Sequence, residues 1–155
     1  MSDSNSNLGF ASLRMYSLII LVLSIIGFIL VTFTPFAGFY LTGYYSGYRY
    51  SCLTCEYATA VDRTAIILAM LLLLGQIVIC LNELWPETIL SQFLPANFSR
   101  WGIFFAVFTL IITLIGGAAF AAAYSYYEWW FEPGFYGAAI AGLLNSILFF
   151  LKSRM

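Results

Sequence analysis

TAIILAMLLLLGQIVICLN, residues 64 to 82, decides the architecture. Arg63 and Glu83 bracket it, and nothing between them carries a formal charge. At a helical rise of about 1.5 Å per residue, such a run crosses the ~30 Å hydrocarbon core of a bilayer. Working outward, three further runs have the same character: MYSLIILVLSIIGFILVTF (Met15 to Phe33), WGIFFAVFTLIITLIGGAAFAAAYSYY (Trp101 to Tyr127) and PGFYGAAIAGLLNSILFFL (Pro133 to Leu151). Backbone N–H and C=O groups find no water in lipid, so these runs must satisfy them internally, as helices. The short alternating segments of a membrane barrel are not seen. The sequence predicts an all-α integral membrane fold, a bundle of four transmembrane helices over about 14–36, 63–84, 100–126 and 133–151. These form one membrane domain, 14–155, behind a polar head, 1–13, that reads as disordered. The first run exceeds the apolar core of a secretory signal and no small-x-small site follows it, so it is expected to stay as a span.

Composition agrees. Of 155 residues, 63% are hydrophobic, 19% aromatic and 8% charged. A soluble domain carries roughly a quarter of its residues charged. The net charge of -1 leaves no footprint for nucleic acid, and the absence of histidine removes His-ligated haem, His-based zinc sites and His-dependent triads. No metal site is expected.

An even number of spans puts both termini on one side. That side carries Arg14, Arg100, Lys152 and Arg154 against Asp3, Glu83 and Glu87; the other carries Arg49 and Arg63 against Glu56, Asp62, Glu128 and Glu132. The positive-inside bias then places the termini in the cytoplasm. Asn97-Phe98-Ser99 has the pattern of a glycosylation acceptor, and its use would reverse that orientation.

Within the spans, small residues recur at spacing four: Gly117 with Ala121, Ala118 with Ala122, Ala119 with Ala123, and Ala138, Gly142 and Ser146 in line. Small residues let helix backbones approach closely in lipid, either inside the bundle or against a second subunit. Gln76 and Asn145 are candidate interhelical hydrogen-bond partners. No Asp, Glu, Lys or Arg lies mid-span, which argues against a self-contained pump or voltage sensor.

Two loops opposite the termini concentrate aromatic residues: PFAGFYLTGYYSGYRYSCLTCEYATAVD (Pro35 to Asp62) and YSYYEWWFEP (Tyr124 to Pro133). Tyr44, Tyr45, Tyr48, Tyr50, Trp129 and Trp130 are the candidate partner-binding set. An interfacial anchoring belt is the plainer explanation, but so dense a cluster also suits a binding surface. Tyr48, Tyr50 and Cys52 alternate with Arg49 and Ser51, after turn positions at Gly43 and Ser46-Gly47, which predicts a short β-hairpin or sheet on the bundle. In the remaining loop, LWPETILSQFL between spans two and three reads as a short interfacial helix.

Cys52-Leu53-Thr54-Cys55 is the one compact chemical motif. It can close a disulfide that pins the loop, or act as a reactive thiol pair. Cys80, inside a span, reads as a small hydrophobe.

Two resemblances follow. Four spans with CxxC in the first outer loop and an arginine at the start of the second helix are similar to the bacterial quinone-dependent disulfide-generating enzymes. That resemblance implies catalytic roles for Cys52, Cys55 and Arg63, with quinone as cofactor. The second covers more of the chain. A long first outer loop with two cysteines, a short second one, ATAVDRTAIILAMLLLLG (58–75) with its boundary arginine, and FEPGFYGAAIAGLLNSILFFLKSR (131–154) with its small-residue start and basic end resemble the claudin and peripheral-myelin-protein tetraspans. This implies a first outer loop folded as a small sheet with a disulfide, and work as an adhesive or barrier protein or an auxiliary channel subunit. The reading favoured is a non-enzymatic tetraspan acting by lateral assembly and partner binding, with itself or other membrane subunits as partners. An accessory subunit of a larger membrane complex and the thiol enzyme are the alternatives. Bound lipid or quinone between helices would leave no trace in the sequence.

Overall fold

A computed structural model describes residues 3–43, 45–86 and 100–154, with 3–12 described as backbone only. Among them the elements run α1 (Asp3–Phe33), β1 (Ala37–Leu41), β2 (Gly47–Ser51), α2 (Ala60–Leu84), α3 (Trp101–Ala123), β3 (Glu128–Phe131) and α4 (Pro133–Ser153). Four helical stretches, Leu13–Phe33, Ala60–Leu84, Trp101–Ala123 and Pro133–Ser153, are long and apolar enough to cross a membrane. The chain is therefore built as a multi-pass membrane protein.

The helix ends have local causes. The helical backbone of α1 starts at Asp3, inside the polar head; once a long helix exists, each added residue gains a hydrogen bond without a new nucleus. It stops at Phe33 rather than 36, because Pro35 has no N–H to continue the ladder. α2 starts at Ala60, three residues before the expected boundary. Thr59 caps it: its side chain accepts from the Asp62 N–H, and the Asp62 carboxylate accepts from the Thr59 N–H. α3 ends at Ala123, short of 126, where Tyr124 to Tyr127 turn toward β3. Pro133 opens α4 from the first turn, where its missing N–H costs nothing.

The helices close a ring in which α1 packs on α2 and α4, and α3 packs on the same two from the opposite side. Their outward faces are apolar: Val22 and Ile29 on α1, Leu71 on α2, Ile111 and Leu114 on α3, and Ile140 and Ile147 on α4 are all exposed. An apolar exterior around a packed interior is a surface made for lipid. Between α1 and α4, and between α3 and α4, glycine sets the approach. A Cβ on Gly142 would lie 2.7 Å from the Leu110 backbone nitrogen, so only glycine fits where α4 crosses α3.

The interior is layered. One apolar cluster, with Phe36, Phe39, Ile66, Leu73, Phe120 and Phe135, fills the end beneath the strands. A second, with Ile20, Ile79, Cys80, Ala106 and Phe149, fills the end near the termini. Between them lies a polar layer with one member from each helix: Ser24, Gln76, Thr109 and Asn145, all fully buried.

The strands form a three-stranded antiparallel sheet in the order β2-β1-β3. β1 pairs with β2 (Tyr40 opposite Tyr48, Gly38 opposite Tyr50) and with β3 (Gly38 opposite Trp130, Phe39 opposite Trp129). The expected hairpin is present, with Gly43 at φ 120° in its turn. The third strand, from the other outer loop, was not foreseen. The expected interfacial helix over LWPETILSQFL falls largely outside the described residues, as does Asn97-Phe98-Ser99.

Candidate functional site

Period-two alternation gives the sheet two chemically different faces. The bundle side carries Phe39, Arg49, Ser51, Trp129 and Phe131. Phe39 is the anchor: 1% exposed, its ring stacks on Tyr124 at 4.0 Å and meets Tyr57 at 6.0 Å and Tyr127 at 5.5 Å. Phe131 stacks on Phe135 of α4 at 3.9 Å, tying β3 to the bundle. The Arg49 guanidinium lies over the Tyr57 ring at 5.3 Å. Ser51 donates to the buried Asp62 carboxylate at 3.1 Å, joining β2 to the cap of α2. The Tyr124 hydroxyl donates to the Tyr57 carbonyl at 2.5 Å. Burial raises the pKa of this phenol above its usual 10.0, helped by the nearby charge of Asp62.

The outer side carries Tyr40, Tyr48, Tyr50 and Trp130. Tyr48 meets Tyr40 at 5.2 Å and Trp130 at 5.8 Å, both edge to face. The Tyr48–Trp130 contact runs diagonally over β1 because Gly38 has no side chain. A Cβ there would stand 2.9 Å from the Trp130 ring, so the indole packs directly over the strand at Gly38. The Trp130 indole N–H donates to Glu132 at 2.6 Å, which holds the ring in place. Tyr48 is 64% exposed and Tyr50 40%. The result is an aromatic platform on a sheet fastened to the helices by Phe39 and Phe131.

The six aromatic residues singled out in the sequence therefore separate. Tyr48, Tyr50 and Trp130 share the outer face. Trp129 belongs to the opposite face, in ring contact with Phe131 at 5.3 Å. Tyr45 lies in the hairpin turn and is highly exposed. Tyr44 lies outside the described residues. Sequence reading missed Tyr40 and Gly38, which complete the platform; the alternation through AGFYL was the available signal.

Cys52 and Cys55 are joined in a disulfide at the end of β2. Arg63 donates to the Cys55 carbonyl at 2.9 Å, fastening this turn to α2. α2 and α3 border an apolar groove of about 410 Å³ lined by Ala60, Val61, Thr64, Leu68, Ile112 and Ile115. Cys80 is free and buried.

Of the small residues, Gly117, Ala138 and Gly142 are buried in the bundle, while Ala121 and Ser146 are half-buried. A Cβ on Gly117 would lie 2.5 Å from the Phe135 ring. Ser146 donates back to the Gly142 carbonyl at 2.6 Å. The polar layer is a chain of hydrogen bonds. Asn145 Nδ2 donates to Ser24 Oγ at 2.9 Å and to Gln76 Oε1 at 2.7 Å, and Gln76 Nε2 donates to Thr109 Oγ1 at 3.0 Å. At the end bearing the termini, Lys152 forms an ion pair with Glu83, and Ser17 donates to the same carboxylate oxygen.

Among the described residues no group of His, Cys, Asp and Glu is placed to hold a metal ion. Compared with models of protein families, with curated proteins and with solved structures, the chain shows no significant match.

Proposed function

We propose that this protein is a non-enzymatic membrane tetraspan that assembles laterally and binds partners through the outer face of its sheet. The observation that carries the reading is the platform of Tyr40, Tyr48, Tyr50 and Trp130. Anchoring alone needs aromatic residues around a bundle at the headgroup level. It does not need them registered on one side of a sheet, away from the helices, with a glycine cleared so that one indole spans the central strand. Tyrosine and tryptophan are also the residues that dominate protein interfaces.

The claudin and peripheral-myelin-protein resemblance implies a first outer loop folded as a small sheet with a disulfide. Here β1 and β2 of the first outer loop pair as a hairpin, β3 of the second adds to it just before the last helix, and the Cys52–Cys55 disulfide closes the turn that follows β2. We carry that resemblance forward as part of the proposal, with the basic excess at the termini placing them in the cytoplasm. Native mass spectrometry after gentle extraction from the parent membrane tests it. Wild-type protein is expected as a defined assembly, with itself or with other membrane subunits. Tyr48→Ala with Trp130→Ala is expected to release the protein as a folded monomer. A wild-type monomer, or an assembly indifferent to those substitutions, refutes the reading.

One observation favours a second reading. Arg63 of α2 fastens the turn closed by the Cys52–Cys55 disulfide, and Ala60, Val61 and Thr64 of the same first turns line an apolar groove. A quinone in that groove could accept two electrons and two protons from the Cys52, Cys55 dithiol, giving the disulfide and a hydroquinone. The disulfide would then be reduced again by a substrate dithiol. Quinone reduction by a model dithiol, lost in Cys52→Ser, would establish this activity; no turnover ends it.

A further inference from the structure

The end of the bundle bearing the termini holds a second feature, independent of the sheet. Two adjoining cavities meet at Lys152. One, of about 280 Å³, lies among Leu13, Arg100, Ile103, Phe149 and Ser153; the other, of about 200 Å³, among Leu13, Arg14, Ser17 and Glu83. The first combines basic Arg100 and Lys152 with apolar Leu13, Ile103 and Phe149; the second is lined mainly by polar side chains, with Leu13 as its apolar one. Gly102 builds the first. A Cβ there would lie 2.4 Å from the Phe149 ring, so its absence lets α3 settle on α4 and brings Arg100 to the cleft that Lys152 lines.

Among the residues described with side chains, basic groups outnumber acidic ones at this end. Arg14, Arg100, Lys152 and Arg154 surround it, and among the residues described with side chains Glu83 is the carboxylate present. Glu83 is engaged by Lys152 and Ser17. The Lys152 ammonium has three donors, of which Glu83 and Ser17 take two, at 2.9 Å for the serine. Among the described residues the third makes no hydrogen bond, and Lys152 lines both cavities. Arg100 adds a planar fork matched to phosphate oxygens.

We propose that this cleft binds the phosphate of an anionic phospholipid, with Arg100 and Lys152 on the headgroup and the proximal acyl chain along Ile103 and Phe149. A free phosphate would meet the same cations but gain nothing from the apolar wall. A zwitterionic lipid would use the wall but bring a quaternary ammonium toward a cationic mouth.

The test is lipid retention by the full-length protein in native mass spectrometry, titrated with phosphatidylglycerol and phosphatidylcholine of identical chains. Wild type is expected to prefer phosphatidylglycerol, and Arg100→Gln to lower that preference about fivefold, the usual scale for one interfacial basic residue. Arg100→Lys should keep most of it, which separates charge loss from misfolding. Arg154→Gln removes a basic residue outside both cavities and should leave the preference within about twofold, less than one engaged interfacial charge is worth. Equal retention of the two lipids overturns the proposal. So does an Arg154→Gln effect as large as that of Arg100→Gln, which would indicate charge without a site. Displacement of phosphatidylglycerol by millimolar inorganic phosphate would mark a free-anion site and overturn the lipid assignment.

Discussion

The Gln76–Asn145 hydrogen bond at the centre of the bundle should be measurable as a coupling between two helices. Both side chains are fully buried, between two apolar clusters, and the bond is 2.7 Å long. Interhelical hydrogen bonds in membrane proteins average about 0.6 kcal/mol and reach about 1.7. Asn145→Leu removes two donated bonds and leaves Gln76 Oε1 without this donor, at about 1 to 3 kcal/mol for a stranded buried acceptor. It also deletes Asn145 Oδ1, which is itself buried without a partner, and so recovers part of that cost. Gln76→Leu strands one Asn145 hydrogen and removes the donor to Thr109. Each single substitution should therefore cost about 2 kcal/mol, with compensating terms that make its exact size a poor test. The cycle is cleaner. The double variant strands neither partner, so its loss should fall short of the sum by about 1 to 2 kcal/mol. Unfolding free energies from steric trapping in bicelles, or from denaturing-detergent titration followed by helical circular dichroism, give all four corners. Ile147→Ala, on the lipid face of the same helix, should change little. A coupling below about 0.3 kcal/mol would mean that the two sites act independently, and would refute the polar layer as a unit that joins the helices.

Three further outcomes are expected. Gly142→Val should prevent α4 from seating on α3 and cost about 3 kcal/mol or more, read as loss of a monodisperse folded species, whereas Ala122→Val on an exposed position should be silent. Tyr124 binds its proton more tightly when folded, because burial first and Asp62 second oppose the phenolate. Its contribution is thus complete below the usual phenol pKa of 10.0 and lost as pH rises through the higher folded value. Melting temperature across the alkaline range should fall less steeply in Tyr124→Phe. The Cys52–Cys55 disulfide closes a loop of sequence separation 3, so the chain-entropy model allows it only about 2 kcal/mol. Cys52→Ser with Cys55→Ser should lower the melting temperature modestly and leave the four helices intact by circular dichroism.

The spans were legible because hydrocarbon imposes a one-dimensional rule. A run such as Thr64 to Asn82 must be helical wherever it sits, since every backbone group has to be satisfied within the segment. The helix termini were less so: Thr59 and Asp62 reveal their capping box only when the two side chains are seen to exchange bonds with the backbone. Alternation from Tyr48 to Cys52 announced a strand. It could not announce that β3, nearly eighty residues later, pairs with β1, because strand partners are chosen by three-dimensional proximity at the end of the bundle. The same limit explains the aromatic set. Trp129 and Trp130 are adjacent in sequence and equivalent in chemistry, yet the pleat sends them to opposite faces, and the register with Phe39 and Gly38 decides which is which. Gln76 and Asn145 stood out as polar residues in apolar runs, but their bond to each other, and the inclusion of Ser24 and Thr109, depend on the ring order of the helices. Composition and charge spacing thus determine that the chain crosses a membrane and where, since both follow from solvation along the chain. Tertiary structure alone decides which aromatic rings share a platform and which polar groups meet, because those depend on distances between residues that the chain holds far apart.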